Sequence, residues 1–229
     1  MASKREPSRE VDVPGRASGM ERTATQLVAR LVDAGIDGIG PLDPARVVAD
    51  KARSGRGGDT EGAIDDVVAL HTKLAAAGGF VTGLGGFVTL PVALPANVAG
   101  FYGISTRMVA GIAHLRGYDL SREEVRTAVL LVLVGADADS ILARAGMSPM
   151  GRVAGLALGR LPAPALMVLN KGIGFRLLSQ VGRKGLGRLG RGVPLAGGVI
   201  GAGIDWWLVR RIADAARTEF AARPTAPSV

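Results

Sequence analysis

A chain of 229 residues with 48% hydrophobic content has material for one sizeable core, which excludes disorder of the whole. Without cysteine there can be no disulfide, thiolate zinc site, iron–sulfur cluster or cysteine nucleophile, and a reducing, cytoplasmic compartment is expected. The formal charge of +8 is concentrated: no Asp or Glu occurs between Asp139 and Asp205, and that interval holds nine of the 28 basic residues, leaving 19 against 20 acidic elsewhere.

Residues 1–19 carry Lys4, Arg5, Arg9, Pro7, Pro14 and Gly15 and lack the apolar run of a signal peptide, so a disordered lead-in is expected there. Residues 20–222 are expected to form one helical domain. Residues 223–229, with Pro224 and Pro227, read as a loose tail. Asp43-Pro44 reads as an N-cap followed by proline at the first helical position, opening a helix to about Arg53. Arg53 to Gly58 is a linker by composition. Asp59 is expected to cap a second helix that stops at the pair Gly78-Gly79.

The stretch from Leu74 to Thr106 has no charged residue, which exceeds the roughly 20 residues that cross a bilayer as a helix. Gly78, Gly79, Gly83, Gly85, Gly86, Pro91 and Pro95 divide it into shorter pieces, so it reads as a helical hairpin facing either protein or lipid. The second arm, from Pro95 to about Arg116, places Val98, Phe101, Ser105, Met108, Ile112 and Leu115 on one face. Ser121 with Glu124 has the form of a capping box before the apolar run Val125–Val134, within which Val129–Val134 is the one stretch that could equally be a buried strand. Asp137 and Asp139 are placed to cap a helix over Ser140 to Arg144, and Ser148-Pro149 opens another. Glycines four apart, Gly79/Gly83 and Gly151/Gly155/Gly159, permit close helix approach. Near the C-terminus, Ile200, Ile204, Leu208, Ile212, Ala216 and Phe220 recur as a core stripe with Asp205 beside it. No alternating run lies between turn pairs, so the expected class is all-α: a single glycine-rich helical domain with a central apolar helical hairpin.

The string Gly79 to Pro95 (GFVTGLGGFVTLPVALP), with Ile112-Ala113-His114 and then Gly117-Tyr118-Asp119, resembles the signature of EcsC-family proteins. A second stretch, Pro194 and small residues through Gly201 and Asp205 to a closing helix at Phe220, is similar to that family's C-terminal pattern. The resemblance spans about residues 60 to 220. It marks Gly79, Thr82, Gly83, Gly85, Gly86, Pro91, Pro95, Gly117, Tyr118, Pro194 and Asp205 as motif positions. The family takes its name from a gene beside an ABC transporter, which implies work at or near a membrane, and it supplies no catalytic residues to carry over.

Chemical motifs point nowhere sharply. There is no phosphate-binding P-loop, no G-x-S-x-G nucleophile elbow and no H-E-x-x-H zinc motif. Gly185-x-Gly187-x-x-Gly190 matches the dinucleotide fingerprint in form, but it follows Arg183-Lys184 where a hydrophobic strand is needed and sits in a low-complexity Gly/Arg/Leu stretch. With only His71 and His114 available, Asp65, Asp66 and His71 are too poorly spaced for one ion, so neither a metal nor another cofactor is expected. His114 reads as a helix-end residue. Asp205 is expected to be buried against an Arg or Lys of the basic segment.

The basic residues are interleaved with Leu, Val, Met and Gly rather than stacking rings, which favours an anionic membrane surface or a membrane protein over nucleic acid as partner. The expected contacts are Arg176, Arg183, Lys184, Arg188, Arg191, Trp206, Trp207, Arg210 and Arg211, the tryptophans resembling an interfacial anchor. The function expected is thus a non-catalytic, membrane-proximal binding or accessory protein, cytoplasmic or peripheral at the membrane, with self-association left open. The alternative is an enzyme or small-molecule carrier with a pocket around the Gly79–Pro95 hairpin and Asp205.

Overall fold

A computed structural model describes residues 33–38, 42–84, 86–135 and 194–222, with Gln26 and Arg30; for residue 83 and for 86–99 and 194–197 the backbone alone is described. Among the described residues, a π-helical turn at Asp33–Asp37 precedes five α-helices: α1 (Ala45–Gly55), α2 (Thr60–Leu84), α3 (Gly86–Leu115), α4 (Glu123–Val134) and α5 (Pro194–Glu219). Among the described residues there is no strand, and the all-α class stands.

Local chemistry sets some boundaries as the sequence suggests and moves others. Asp59 caps α2, its Oδ1 accepting the Glu61 amide at 3.1 Å. Pro44, however, is itself the N-cap of α1, and the Asp43 carboxylate turns away to take the Lys51 ammonium at 2.8 Å. The expected stop at Gly78-Gly79 is overturned: α2 runs through both glycines to Leu84. The second arm likewise begins nine residues before Pro95, at Gly86, and its backbone stays helical through Pro91 and Pro95. Propensity costs of about 1 kcal/mol for glycine and about 3 for proline are outweighed here by tertiary context.

The Ser121/Glu124 capping box does not form. Asp119 captures Ser121 instead, its Oδ1 accepting the Ser121 amide at 2.9 Å and hydroxyl at 2.7 Å, and Arg122 becomes the N-cap of α4, its side chain making no capping bond but pairing with Glu124. The run Val125–Val134 is helical, and only Arg126 within it reaches the surface. At the end of α3, Gly117 adopts φ +85° while its amide bonds the His114 carbonyl and that of Tyr118 bonds Ala113. This Schellman turn needs glycine, which accounts for Gly117-Tyr118 as a motif pair.

α2 and α3 pack antiparallel: Glu61 meets Arg116 and His71 meets Arg107, while Val67 lies against Gly111. The expected stripe on α3 is buried at Phe101, Ser105, Met108, Ile112 and Leu115. Ile64 and Val67 of α2, Val129 and Leu131 of α4, and Val209 and Phe220 of α5 complete the core. Asp137, Asp139 and Ser148, expected at helix starts, and Gly151, Gly155 and Gly159, expected at a close helix approach, lie outside the described residues.

Candidate functional site

α5 opens with Pro194 at its first position, where the missing amide costs nothing. Its buried line runs through Gly201, Asp205, Val209, Ala213, Ala216 and Phe220. That is a correction by about one residue, because Ile200 is exposed and Ile204, Leu208 and Ile212 flank the line instead of forming it. Asp205 therefore sits inside the buried line, 3% exposed.

The opposite side of α5 faces water with Val199, Ile200, Trp206, Trp207, Arg210 and Arg211. Trp206 and Trp207 are 44% and 50% exposed. Each ring carries the guanidinium four residues on, Arg210 at 4.8 Å from Trp206 and Arg211 at 5.1 Å from Trp207. No carboxylate among the described residues pairs with Arg210 or Arg211, and exposed Asp214 marks the far limit of the face. Of the expected contact residues, these four are brought together. Arg176, Arg183, Lys184, Arg188 and Arg191 lie outside the described residues.

The two motif stretches meet at one helix crossing. A Cβ on Gly79 would lie 2.5 Å from Asp205 Oδ2 and 2.7 Å from the Gly201 carbonyl oxygen, and one on Gly201 would lie 2.5 Å from the Gly79 carbonyl oxygen. Backbone therefore rests on backbone, with the Asp205 carboxylate over Gly79. Thr82 donates its hydroxyl back to the Gly78 carbonyl at 2.9 Å. Gly83, Gly86, Pro91 and Pro95 are known only as helical backbone, and Gly85 and the basic partner expected for Asp205 lie outside the described residues.

The opposite end of the α2–α3 pair is polar. A cleft of about 1110 Å3 lies there, bordered by Arg46 and Arg53 of α1, the start of α2, the His114–Ser121 turn and Arg126. Its acids are engaged: Asp37 receives both ends of the Arg126 guanidinium at 2.7 Å, Glu61 pairs with Arg116, and Asp119 holds Ser121. Arg53 donates to the Leu115 carbonyl that ends α3, at 2.9 Å. His114 is indeed at a helix end, but its Nε2 meets the Asp50 carboxylate at 2.9 Å.

One polar group was not anticipated. His71 is fully buried; its Nδ1–H donates to the Val67 carbonyl at 2.7 Å, and its Nε2 accepts from Arg107 Nε at 3.0 Å. Since a carbonyl can only accept and a guanidinium only donate, the ring must be neutral with its proton on Nδ1. Burial, with Arg107 adding to it, pushes the His71 pKa down to about 4. Arg107 continues to the Asp43 carbonyl at 3.4 Å, joining α3, α2 and the approach to α1. Spacing offered a signal for this burial, since His71 shares a face with Ile64, Val68 and Ala75. Asp65 and Asp66 are held apart from it by Arg217 and Arg56.

Among the described residues no helix is long and apolar enough to cross a membrane. No curated protein and no solved structure matches the chain. The sequence pattern of the EcsC protein family matches residues 58–148, which takes in the first motif stretch and leaves the C-terminal one outside.

Proposed function

Residues 58–148 belong to the EcsC protein family, and from that premise we propose that the protein is a non-catalytic, membrane-proximal binding protein whose α5 face holds anionic lipid headgroups. The observation that carries this reading is the face itself: two half-exposed tryptophans, each overlaid by an arginine, with Val199 and Ile200 beside them. Indole rings are at home at headgroup depth, and guanidinium groups can pair bidentately with phosphate. An exposed Trp pair also leaves apolar area in water that lipid would cover. The interval 144–191, whose charges are all basic, precedes the same helix in sequence and adds to the attraction.

Co-sedimentation of the full chain with phosphatidylglycerol and with phosphatidylcholine vesicles, across a salt series, tests the proposal. Binding should be selective for the anionic vesicles and weaken as salt screens it. At about 1 kcal/mol per cation near the surface, reversing two should weaken binding more than about tenfold in Arg210→Glu/Arg211→Glu. Equal recovery in the supernatant with both lipids would sink the reading.

A second reading, an enzyme or small-molecule carrier, draws on the cleft at the far end of the hairpin. The cleft reaches Ala222, just past the end of α5, but none of Trp206, Trp207, Arg210 and Arg211 borders it, so a carrier's ligand affinity would be indifferent to the Arg210 and Arg211 reversals.

A further inference from the structure

Building on that lipid-binding reading, we infer that the protein engages the membrane end-on, pushing the end of the α2/α5 pair that lies beyond the Gly79–Gly201 crossing into one leaflet of an anionic bilayer. Three contacts fix the direction in which the two helices run. Gly79 lies on Gly201, the Phe80 ring is 3.1 Å from where a Gly198 Cβ would be, and Asp65 pairs with Arg217. The helices are antiparallel, so one scale of height serves both.

Along that scale the exposed chemistry is graded. Nearest that end among the described side chains are Leu84, Phe80, Val81, Val199 and Ile200, with Val81 and Val199 67% and 66% exposed. Seven residues from Val199, which is about 10 Å at 1.5 Å per residue, come Trp206 and Trp207. Arg210 and Arg211 follow at about 16 Å. On α2, Leu74, Lys73 and Leu70 are exposed at these same levels, so the cations there are interleaved with apolar side chains. Beyond them stand Asp214 and the Arg217–Asp65 and Arg56–Asp66 pairs.

This sequence of apolar end, aromatic belt, cations and then ion pairs follows the bilayer from acyl chains through the interface to water. From Trp206 it is about 10 Å to Val199 and about 18 Å to Pro194, where α5 begins, a depth on the scale of one leaflet and short of a span of ~30 Å. Asp205 is no obstacle, because it lies within the α2–α5 contact and not on its outside. A helix lying flat would instead bring Asp214, on the same face as Trp207 and Arg210, to the same depth as the tryptophans.

The absence of native cysteine allows single thiol probes on the full chain. An environment-sensitive fluorophore is attached through Val81→Cys, Val199→Cys or Asp214→Cys, all at exposed positions. Vesicles of phosphatidylglycerol carry a nitroxide either near the headgroup or deep in the acyl chain. The deep nitroxide should quench the Val81→Cys and Val199→Cys probes at least about twofold more than the Asp214→Cys probe, and native tryptophan fluorescence should respond most to the shallow one. Equal quenching of the Val199→Cys and Asp214→Cys probes would overturn end-on insertion while leaving surface binding intact. Failure of all three to bind would overturn the lipid reading itself. In addition, Val81→Asp/Val199→Asp should retain salt-sensitive attachment and lose the salt-resistant bound fraction, and an undiminished salt-resistant fraction would refute the insertion.

Discussion

His71 is deprived of water and faces a cation, and both circumstances act on its proton. The unfolded chain binds that proton below about pH 6.5, whereas the folded chain binds it only below about 4. Between those values the unfolded state holds more protons, so stability is fully present above pH 6.5 and falls as pH drops toward 4. The loss should approach about 3 kcal/mol on crossing the window. Denaturant titrations at several pH values would measure it, and His71→Gln should flatten the slope. Asp43 and Asp66, lowered mainly by hydrogen bonds from Lys51 and Arg56, and Asp119, lowered by its bonds from Ser121, act in the same direction but below the carboxylate range, so the two contributions separate.

At the scale of elements, the α2–α5 crossing depends on what its glycines lack. Gly79→Ala would set a methyl group against Asp205 and the Gly201 backbone, neither of which is the free end of a flexible chain. It should cost on the order of 1–3 kcal/mol by thermal melting. Gly203→Ala, two residues from Gly201 on the same helix, meets nothing within 4 Å and should stabilise by ~0.5–1 kcal/mol through helix propensity alone. The contrast separates glycine kept for proximity from glycine that packing does not require. It also explains why the Gly78-Gly79 pair fails to end α2. A glycine pair ordinarily favours the unfolded or turned backbone, but here it is the surface on which another helix rests.

For the molecule as a whole, contacts between residues more than a hundred positions apart close the bundle. Tyr118 packs edge-on against Phe220 with ring centroids 5.1 Å apart and donates its hydroxyl to the Ala221 carbonyl at 3.2 Å. Phe220→Ala should therefore cost about 3–5 kcal/mol, read by denaturant titration, and should hasten amide hydrogen exchange in α2 as well as in α5. Charge is sorted along the same bundle. Among the described residues, the polar cleft with its paired arginines lies at one end and the exposed Phe80, Val81, Leu84, Val199 and Ile200 at the other, so these two ends suit different surroundings.

Period, composition and local chemistry were enough to establish the all-α class, the Asp59 cap, the buried face of α3 from Phe101 to Leu115 and the placing of Trp206, Trp207, Arg210 and Arg211 on one side of α5. Each depends on residues a few positions apart, where helical geometry is nearly fixed. The length of the hairpin arms, the one-residue shift of the buried line on α5, the loss of the Ser121 cap to Asp119 and the burial of His71 against Arg107 were decided by the folded chain. Three of these turn on partners distant in sequence: Gly79 extends α2 because Gly201 lies across it, Asp205 enters the core because those glycines leave room for it, and His71 stays neutral because Arg107 arrives from the other arm. The Ser121 cap was lost to a neighbour two residues away, a competition between two good acceptors that pattern alone does not rank.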